Sequence, residues 1–560
     1  MEEEERMFDS RQLTLTGLAR SAGLAAIPMM AMIGATFMPA VGTQASEYVT
    51  AADRALVATN AGKLLGAERN GVFQYLGTPY ATAERFMMPQ KVESWEGIRP
   101  AVTYGNNCLI PPMSEVANDE LFNPHRYLPM SENCQFLNIW TPGVNDGGNR
   151  PVMVWLHGGG FTNGSAIEQV AYDGENLAKK GDVVVVTLNH RLNILGFLDL
   201  SAYGPDYADT PNLGLMDTVA ALEWVRDNIE AFGGDPDNVT IFGQSGGGGK
   251  VRALMRMPAA DGLFHKAIVQ SGATNVAGMP KEAASRVAEL TLGNLGLTAE
   301  TADKIREVSY EDLLAAGTQA FETLSQENAF PGVTGWRAVI DGVQVLQDEN
   351  GGDGWVDQGR DIPLLIGNVL NESETVIRNK PADLLADNKN QWAEEYAREK
   401  LKERFGDKAD AVAEAFLAAY PDKTLADAYF VDLRSRPGTL RNAKMKAEQG
   451  GAPVYTYMFS WESPVLEGIG MAWHCAEIPH VFANAELVNT ATGGGPDAIA
   501  MSERVSDAWI AFARTGNPNH EGLPEWPAYT VEGGATMIFD NVSEVRFNHD
   551  TPLLEAAGAI

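Results

Sequence analysis

IFGQSGGGGK, residues 241–250, sets one serine among glycines at the end of an apolar run. The run leading into it, NVTIFGQS over 238–245, is short and continuously apolar in its middle, the pattern of a buried parallel strand. KVRALMRM, from Lys250 onward, predicts a helix. Gly243-Gln244-Ser245-Gly246-Gly247 therefore satisfies G-x-S-x-G between a strand and a helix, which reads as a nucleophile elbow. A turn this sharp strains the serine backbone, projects its hydroxyl and leaves no room for neighbouring side chains. The N-terminus of the following helix also favours negative charge beside the serine. Taken alone, the stretch fits a plain glycine-rich turn equally well.

Its surroundings supply the context. VMVWLHGGG (152–160) and DVVVVTLNHR (182–191) are further short apolar runs. Between the second of these and the serine strand, residues 215–234 place Val219, Leu222, Val225, Ile229 and Phe232 at helical spacing, and Gly233 and Gly234 end the pattern. Strand, helix and strand in succession imply an α/β fold with a parallel sheet covered by helices. HGGGF (157–161) follows the first run, and bare backbone there frees N–H groups to face a developing oxyanion. Gly159 and Gly160 are two candidate donors, and Gly246, next after the serine, is the third.

A serine hydroxyl is a poor nucleophile near neutral pH, so it needs a base, and the base needs a carboxylate to fix its tautomer. In this fold the acid follows the serine and the histidine comes last. PLLIGNVLNESE (363–374) is strand-like and ends in a polar turn carrying Glu372, with Glu374 as the alternative acid. GIGMAWHCAEIPHVF (468–482) holds His474 in a glycine-containing loop before a predicted helix. Chain order excludes His157 as the base. His480 is the near rival, and its setting in EIPHVF suggests packing.

Composition narrows the alternatives. The 560 residues are 45% hydrophobic and 21% charged, enough for a large core and unlike a disordered chain. With 42 basic against 74 acidic residues, a net of −32, the chain repels polyanions and is not expected to bind nucleic acid. Residues 21–46 carry no formal charge, follow Arg11 and Arg20, and end near TQA (43–45), as an export signal would. Residues 1–45 are thus expected to be a signal peptide or an uncleaved N-terminal membrane anchor, and 46–560 a single catalytic domain, periplasmic or secreted. The three cysteines, Cys108, Cys134 and Cys475, form no CxxC or ligand cluster, so no zinc site is expected. An exported chain could join Cys108 to Cys134; two buried thiols are the other reading.

Beyond these elements, YLGTPYA, RFMMP, SENCQFLNIWTP (131–142), GNLGLMD, IDG (340–342), FARTGNPN and WPAY extend over about residues 60–547. Together they resemble the type-B carboxylesterases, a family that includes cholinesterases, certain fungal lipases and bacterial nitrobenzyl esterases. The resemblance implies an α/β-hydrolase fold, a large mostly parallel sheet flanked by helices with cap or lid insertions. It favours a Cys108–Cys134 disulfide and implies a triad of Ser245, Glu372 and His474 acting on a small-molecule carboxylic ester without a cofactor. The family usually has Glu and Ala around the serine, where Gln244 and Gly246 stand here, and Asp-Glu-Gly around the acid, where Asn371-Glu372-Ser373 stand. Ser271 resembles a family serine that contacts the acid, and an ordinary core serine fits equally.

Phe161, Phe330 and Trp336 are candidate pocket walls, and they fit the core equally well. Residues 108–134 contain no tryptophan, unlike the cholinesterases, which hold a cationic substrate over an indole there. A lipase acting on long-chain acylglycerols and a non-catalytic adhesion-type binding protein are the alternatives, and amides, carbamates or large natural polyesters stay open as substrates of the esterase.

Overall fold

The continuous apolar runs are explained by a sheet that is covered on both faces. A computed structural model describes residues 48–49, 54–113, 120, 122–273, 278–348, 354–372 and 388–560. The central sheet has twelve strands. Its middle consists of parallel strands β1 (Arg150–Leu156), β2 (Val184–Leu188), β3 (Gly234–Gln244), β4 (Lys266–Gln270), β5 (Leu364–Val369), β6 (Val454–Phe459) and β7 (Ala535–Phe539). They lie in the order β2-β1-β3-β4-β5-β6-β7. On the β2 side, Phe136–Thr141, Val72–Pro79, Ala67–Arg69 and Tyr48–Val49 extend the sheet antiparallel, and Glu544–Phe547 does so beyond β7.

Alternate residues of one strand enter different cores. Val152, Val154 and Leu156 of β1 join Val184, Val186, Val239 and Ile241 in one hydrophobic cluster. Met153 and Trp155 join Val185, Phe242 and Ile268 in the other. Neither face needs polar residues, so the period-two alternation of a half-exposed strand is missing. This is the α/β-hydrolase architecture that the sequence implies.

Helix α1 (Leu213–Asn228) buries Leu215, Val219, Leu222 and Val225 against the first cluster. The periodicity predicts one helical stretch over 215–234, whereas the last turn tightens to a 3-10 helix at Ile229–Phe232 and Gly233 stops it at φ +71°. Strand β3 then begins at Gly234, earlier than its apolar pattern indicates. Helix α2 (Gly246–Leu254) also starts earlier, at once after Ser245 and not at Lys250. Glycine is a weak helix former, so packing sets this start: a Cβ on Gly247 would lie 1.9 Å from the carbonyl oxygen of Leu156.

Cys108 and Cys134 are joined by a disulfide, both nearly fully buried beside Leu192. Cys475 lies outside it and is buried. The described residues fall within one compact unit, Ser46–Ile560. Among them no helix is long and apolar enough to cross a membrane. The expected export segment lies outside the described residues.

Closing the 26-residue span between the cysteines removes chain entropy from the unfolded state, about 3 kcal/mol on a loop-entropy account. Cys108→Ala combined with Cys134→Ala should lower the thermal midpoint accordingly, and reductant should lower the parent toward the same value; calorimetry with and without reductant checks both.

Candidate active site

Strand β3, in the interior of the sheet, delivers Ser245 just beyond its C-terminal end. The serine has φ 56° and ψ −122°, outside the regions open to most residues, and caps α2. Its N–H donates to the carbonyl of Gln270 at the end of β4, 2.8 Å away, which helps hold the turn. The adjacent Gly246 approaches the HGGGF loop so closely that a Cβ on it would lie 2.2 Å from the Gly160 carbonyl oxygen. In the family's usual pattern alanine occupies this position, and here it would displace the loop. Gly159 and Gly160 take φ +79° and +65° and are exposed. The three candidate oxyanion donors thus come together at the ends of β1 and β3, which are paired with Leu156 opposite Gly243. The N–H of Gly246, at the first position of α2, has no intrahelical acceptor.

Glu372 and His474 come from loops that are hydrogen-bonded to each other. Asn371 N–H donates to the Ala472 carbonyl at 3.1 Å, and Ala472 N–H donates to Asn371 Oδ1 at 3.2 Å. Asn371 Nδ2 also donates to the Phe430 carbonyl at 3.1 Å. An aspartate, which the family usually carries there, could not make that last bond when ionised. The Glu372 carboxylate meets His474 Nδ1 directly and accepts the Val369 N–H at 3.2 Å. Glu372 is buried, whereas the His474 side chain is 38% exposed, facing outward from its acid partner. His474 Nε2 lies 3.2 Å from the amide nitrogen of Gln244, the residue before Ser245, and Gln244 Oε1 accepts from the Cys475 thiol at 3.4 Å. Glu374 lies outside the described residues. His480 is buried among Phe459 and Trp461, away from Glu372, and burial pushes its pKa down to about 3.

The aromatic candidates separate. Phe161 packs edge-on to Phe197 and against Gly249, as part of the core. Phe330 is half-buried against the same core. Trp336 lines a cavity of about 600 Å³ together with Pro111, Thr162, Leu314 and Phe321, the last two from helix α3 (Tyr310–Glu327). Ser271 directly follows β4 at φ 50°, and its buried hydroxyl makes no hydrogen bond, to Glu372 or otherwise, among the described residues. Among the described residues no group of His, Cys, Asp or Glu has metal-site geometry.

Sequence reasoning missed a layer behind Glu372. Gln270 Nε2 donates to Glu477 Oε1 at 3.2 Å, and Gln270 Oε1 accepts from Trp509 Nε1 at 3.0 Å, on helix α4 (Pro496–Thr515). Burial, and secondarily the charge of Glu372, pushes Glu477 up to about 7. The same two causes push Asp432 up to about 6. An acidic residue inside the apolar CAEIPHVF was the available signal for Glu477.

Because the folded Glu477 holds its proton more tightly than the ordinary value of 4.5, its contribution is complete below that pH and is lost as pH rises through about 7. At higher pH the penalty is on the order of 3 kcal/mol at most. Glu477→Gln, which cannot ionise, should therefore gain thermal midpoint relative to the parent between pH 5 and pH 8; a difference that stays flat across that range contradicts the shift.

Residues 53–551 match the model of the Carboxylesterase family. The para-nitrobenzyl esterase of Bacillus subtilis (strain 168) is 38% identical over 510 residues, 88% of this chain and 96% of its own length. The phenmedipham hydrolase of Pseudarthrobacter oxydans is 32% identical over 495 residues, 87% of this chain and 95% of its own. Among solved structures, an esterase from anaerobic Clostridium hathewayi that can hydrolyse aliphatic aromatic polyesters superposes with a TM-score of 0.83 at 41% identity, covering 92% of this chain and 99% of its own. The chain belongs to the carboxylesterase family and is a serine hydrolase of carboxylic esters of the type-B class.

Proposed function

We propose that the enzyme cleaves esters through an acyl-enzyme intermediate, with Ser245 as nucleophile, His474 as general base and then acid, and Glu372 as the carboxylate that orients the histidine. The observation that carries this reading is the line from Glu372 through His474 to Gln244, whose amide nitrogen lies 3.3 Å from Nδ1 and 3.2 Å from Nε2 and which directly precedes the strained Ser245. Glu372 fixes the proton on Nδ1, so Nε2 presents its lone pair. His474 takes the serine proton as Ser245 Oγ attacks the ester carbonyl. The N–H groups of Gly159, Gly160 and Gly246 receive the oxyanion, each worth roughly 3 kcal/mol in comparable sites. The protonated histidine then delivers its proton to the leaving alcohol. Water, deprotonated by the same Nε2, releases the acid and restores the serine.

For the substrate, we infer esters with an aromatic or extended apolar part. Relatives named for nitrobenzyl esters and aliphatic aromatic polyesters support this, as does the cavity beside Thr162, where Trp336, Leu314 and Phe321 offer apolar surface alongside Thr318, Glu322 and Gln326. We also propose an exported location, which the Cys108–Cys134 disulfide supports because such bonds persist in oxidising compartments.

Hydrolysis of nitrophenyl esters of increasing acyl length tests the mechanism and sizes the acyl site together. Ser245→Ala should lower kcat on the order of 10⁶-fold, to background. Glu372→Gln, which keeps the shape but favours the wrong tautomer, should lower it about 10⁴-fold with little change in KM. Parental turnover in either variant would refute the assignment.

A further inference from the structure

Under the oxyanion loop lie three buried basic side chains that the proposed mechanism does not use: Lys250, His157 and His190. Lys250 stands on α2 at the end of the glycine run and is fully buried. Its Nζ donates to the carbonyl oxygen of His157 at 2.9 Å. The same ammonium lies 5.6 Å from the ring centre of Phe161. His157 opens the HGGGF segment and Phe161 closes it, so one side chain from the nucleophile's own helix reaches both ends of the loop that carries Gly159 and Gly160.

Both imidazoles complete the anchorage. His157 Nδ1 donates to the Gly158 carbonyl at 2.9 Å, and its ring stacks on His190 with centroids 4.9 Å apart and planes 11° from parallel. Burial holds both histidines well below their usual range, and the charge of Lys250 adds to it, so both rings are neutral near pH 7. Burial also lowers Lys250, to about 7, against the opposing charge of Glu168.

An ammonium in such a place carries a desolvation cost that an apolar side chain of similar length avoids. Beside the Glu168 charge and the Phe161 ring, the direct hydrogen bond that offsets this cost is the one to the loop. On the opposite side the loop has no slack, because Gly246 already touches Gly160 closely enough that a Cβ would lie 2.2 Å from its oxygen. The loop is therefore held from α2 at two points, by backbone contact at Gly160 and by a hydrogen bond at His157.

We propose that Lys250 is a positioning residue for ester hydrolysis: through the His157 carbonyl it sets the height of the oxyanion loop above α2, and so the direction of the Gly159 and Gly160 N–H groups. This rests on the assignment of those amides, and of Ser245, in the proposed mechanism.

Lys250→Met keeps length and removes the donor, while Lys250→Arg keeps a cationic donor. Active sites are first counted by organophosphate labelling of Ser245, so that loss of folded protein does not enter kcat. Two readouts follow, steady-state kinetics and the affinity of a trifluoromethyl ketone that forms a tetrahedral adduct. The Met variant should lose about 10-fold or more in kcat per labelled site with KM within about twofold, less than the 10²–10³ of a deleted donor. Ketone affinity should fall by a similar factor, and the Arg variant should recover part of both. Parental kcat and ketone affinity in the Met variant overturn the proposal. If the Met variant does not fold, Lys250→Gln, whose amide is too short to reach His157, is measured with the same two outcomes. A parent that is not labelled at Ser245 would overturn the mechanism and this inference together, whereas parental kinetics in a labelled variant overturn this inference alone.

Discussion

The site depends on two stretches of backbone that touch with no side chain between them. Strands β1 and β3 are parallel neighbours in register, so the oxyanion loop and the elbow emerge side by side from the same edge of the sheet. Gly246 meets Gly160, and Gly247 meets the end of β1 at Leu156. A methyl group at either position would separate the candidate nucleophile from the candidate oxyanion donors. This contact accounts for the glycine run better than flexibility does, since these glycines are packed, and it requires a stiff base. A sheet buried on both faces, with its residues shared between two hydrophobic cores, provides that base.

Much of this was legible in the sequence, for reasons that differ by element. Runs such as VVVVTL announce buried parallel strands because burial on two faces leaves a mark on every residue. G-x-S-x-G and HGGGF are legible because a close backbone approach admits only glycine. Boundaries were less so: α2 begins at Gly246 against local propensity because tertiary packing overrides it, and β3 begins before its apolar stretch. The layer of Gln270, Glu477 and Trp509 left almost no trace, since each is an ordinary residue whose meaning lies in partners more than 200 positions away. Phe161, an aromatic residue beside a motif, fits a pocket wall and a core position equally in the sequence, and only its packing on Phe197 places it in the core.

The charges around the site are arranged so that few of them persist. Glu372 faces His474, while Glu477 and Asp432 lie close enough to Glu372 for its charge to raise them. Ionising all three within a buried region would be costly, and the fold avoids it by burying Glu477 so that it keeps its proton to about pH 7. On the other side of the nucleophile, the two buried histidines remain neutral next to a single lysine. Burial on both sides thus leaves the serine in a simpler field than the number of ionisable residues suggests.

The bond from Ser245 N–H to Gln270, and from the Gln270 side chain on to Trp509 of α4, has a consequence for how the protein is made. A ribosome has released the elbow long before it has translated the helix that braces it, and Glu372 and His474 also follow. The emerging chain therefore exposes a glycine-rich turn without its candidate acid, its candidate base or its support. On the proposed mechanism, catalytic competence therefore arrives late in synthesis.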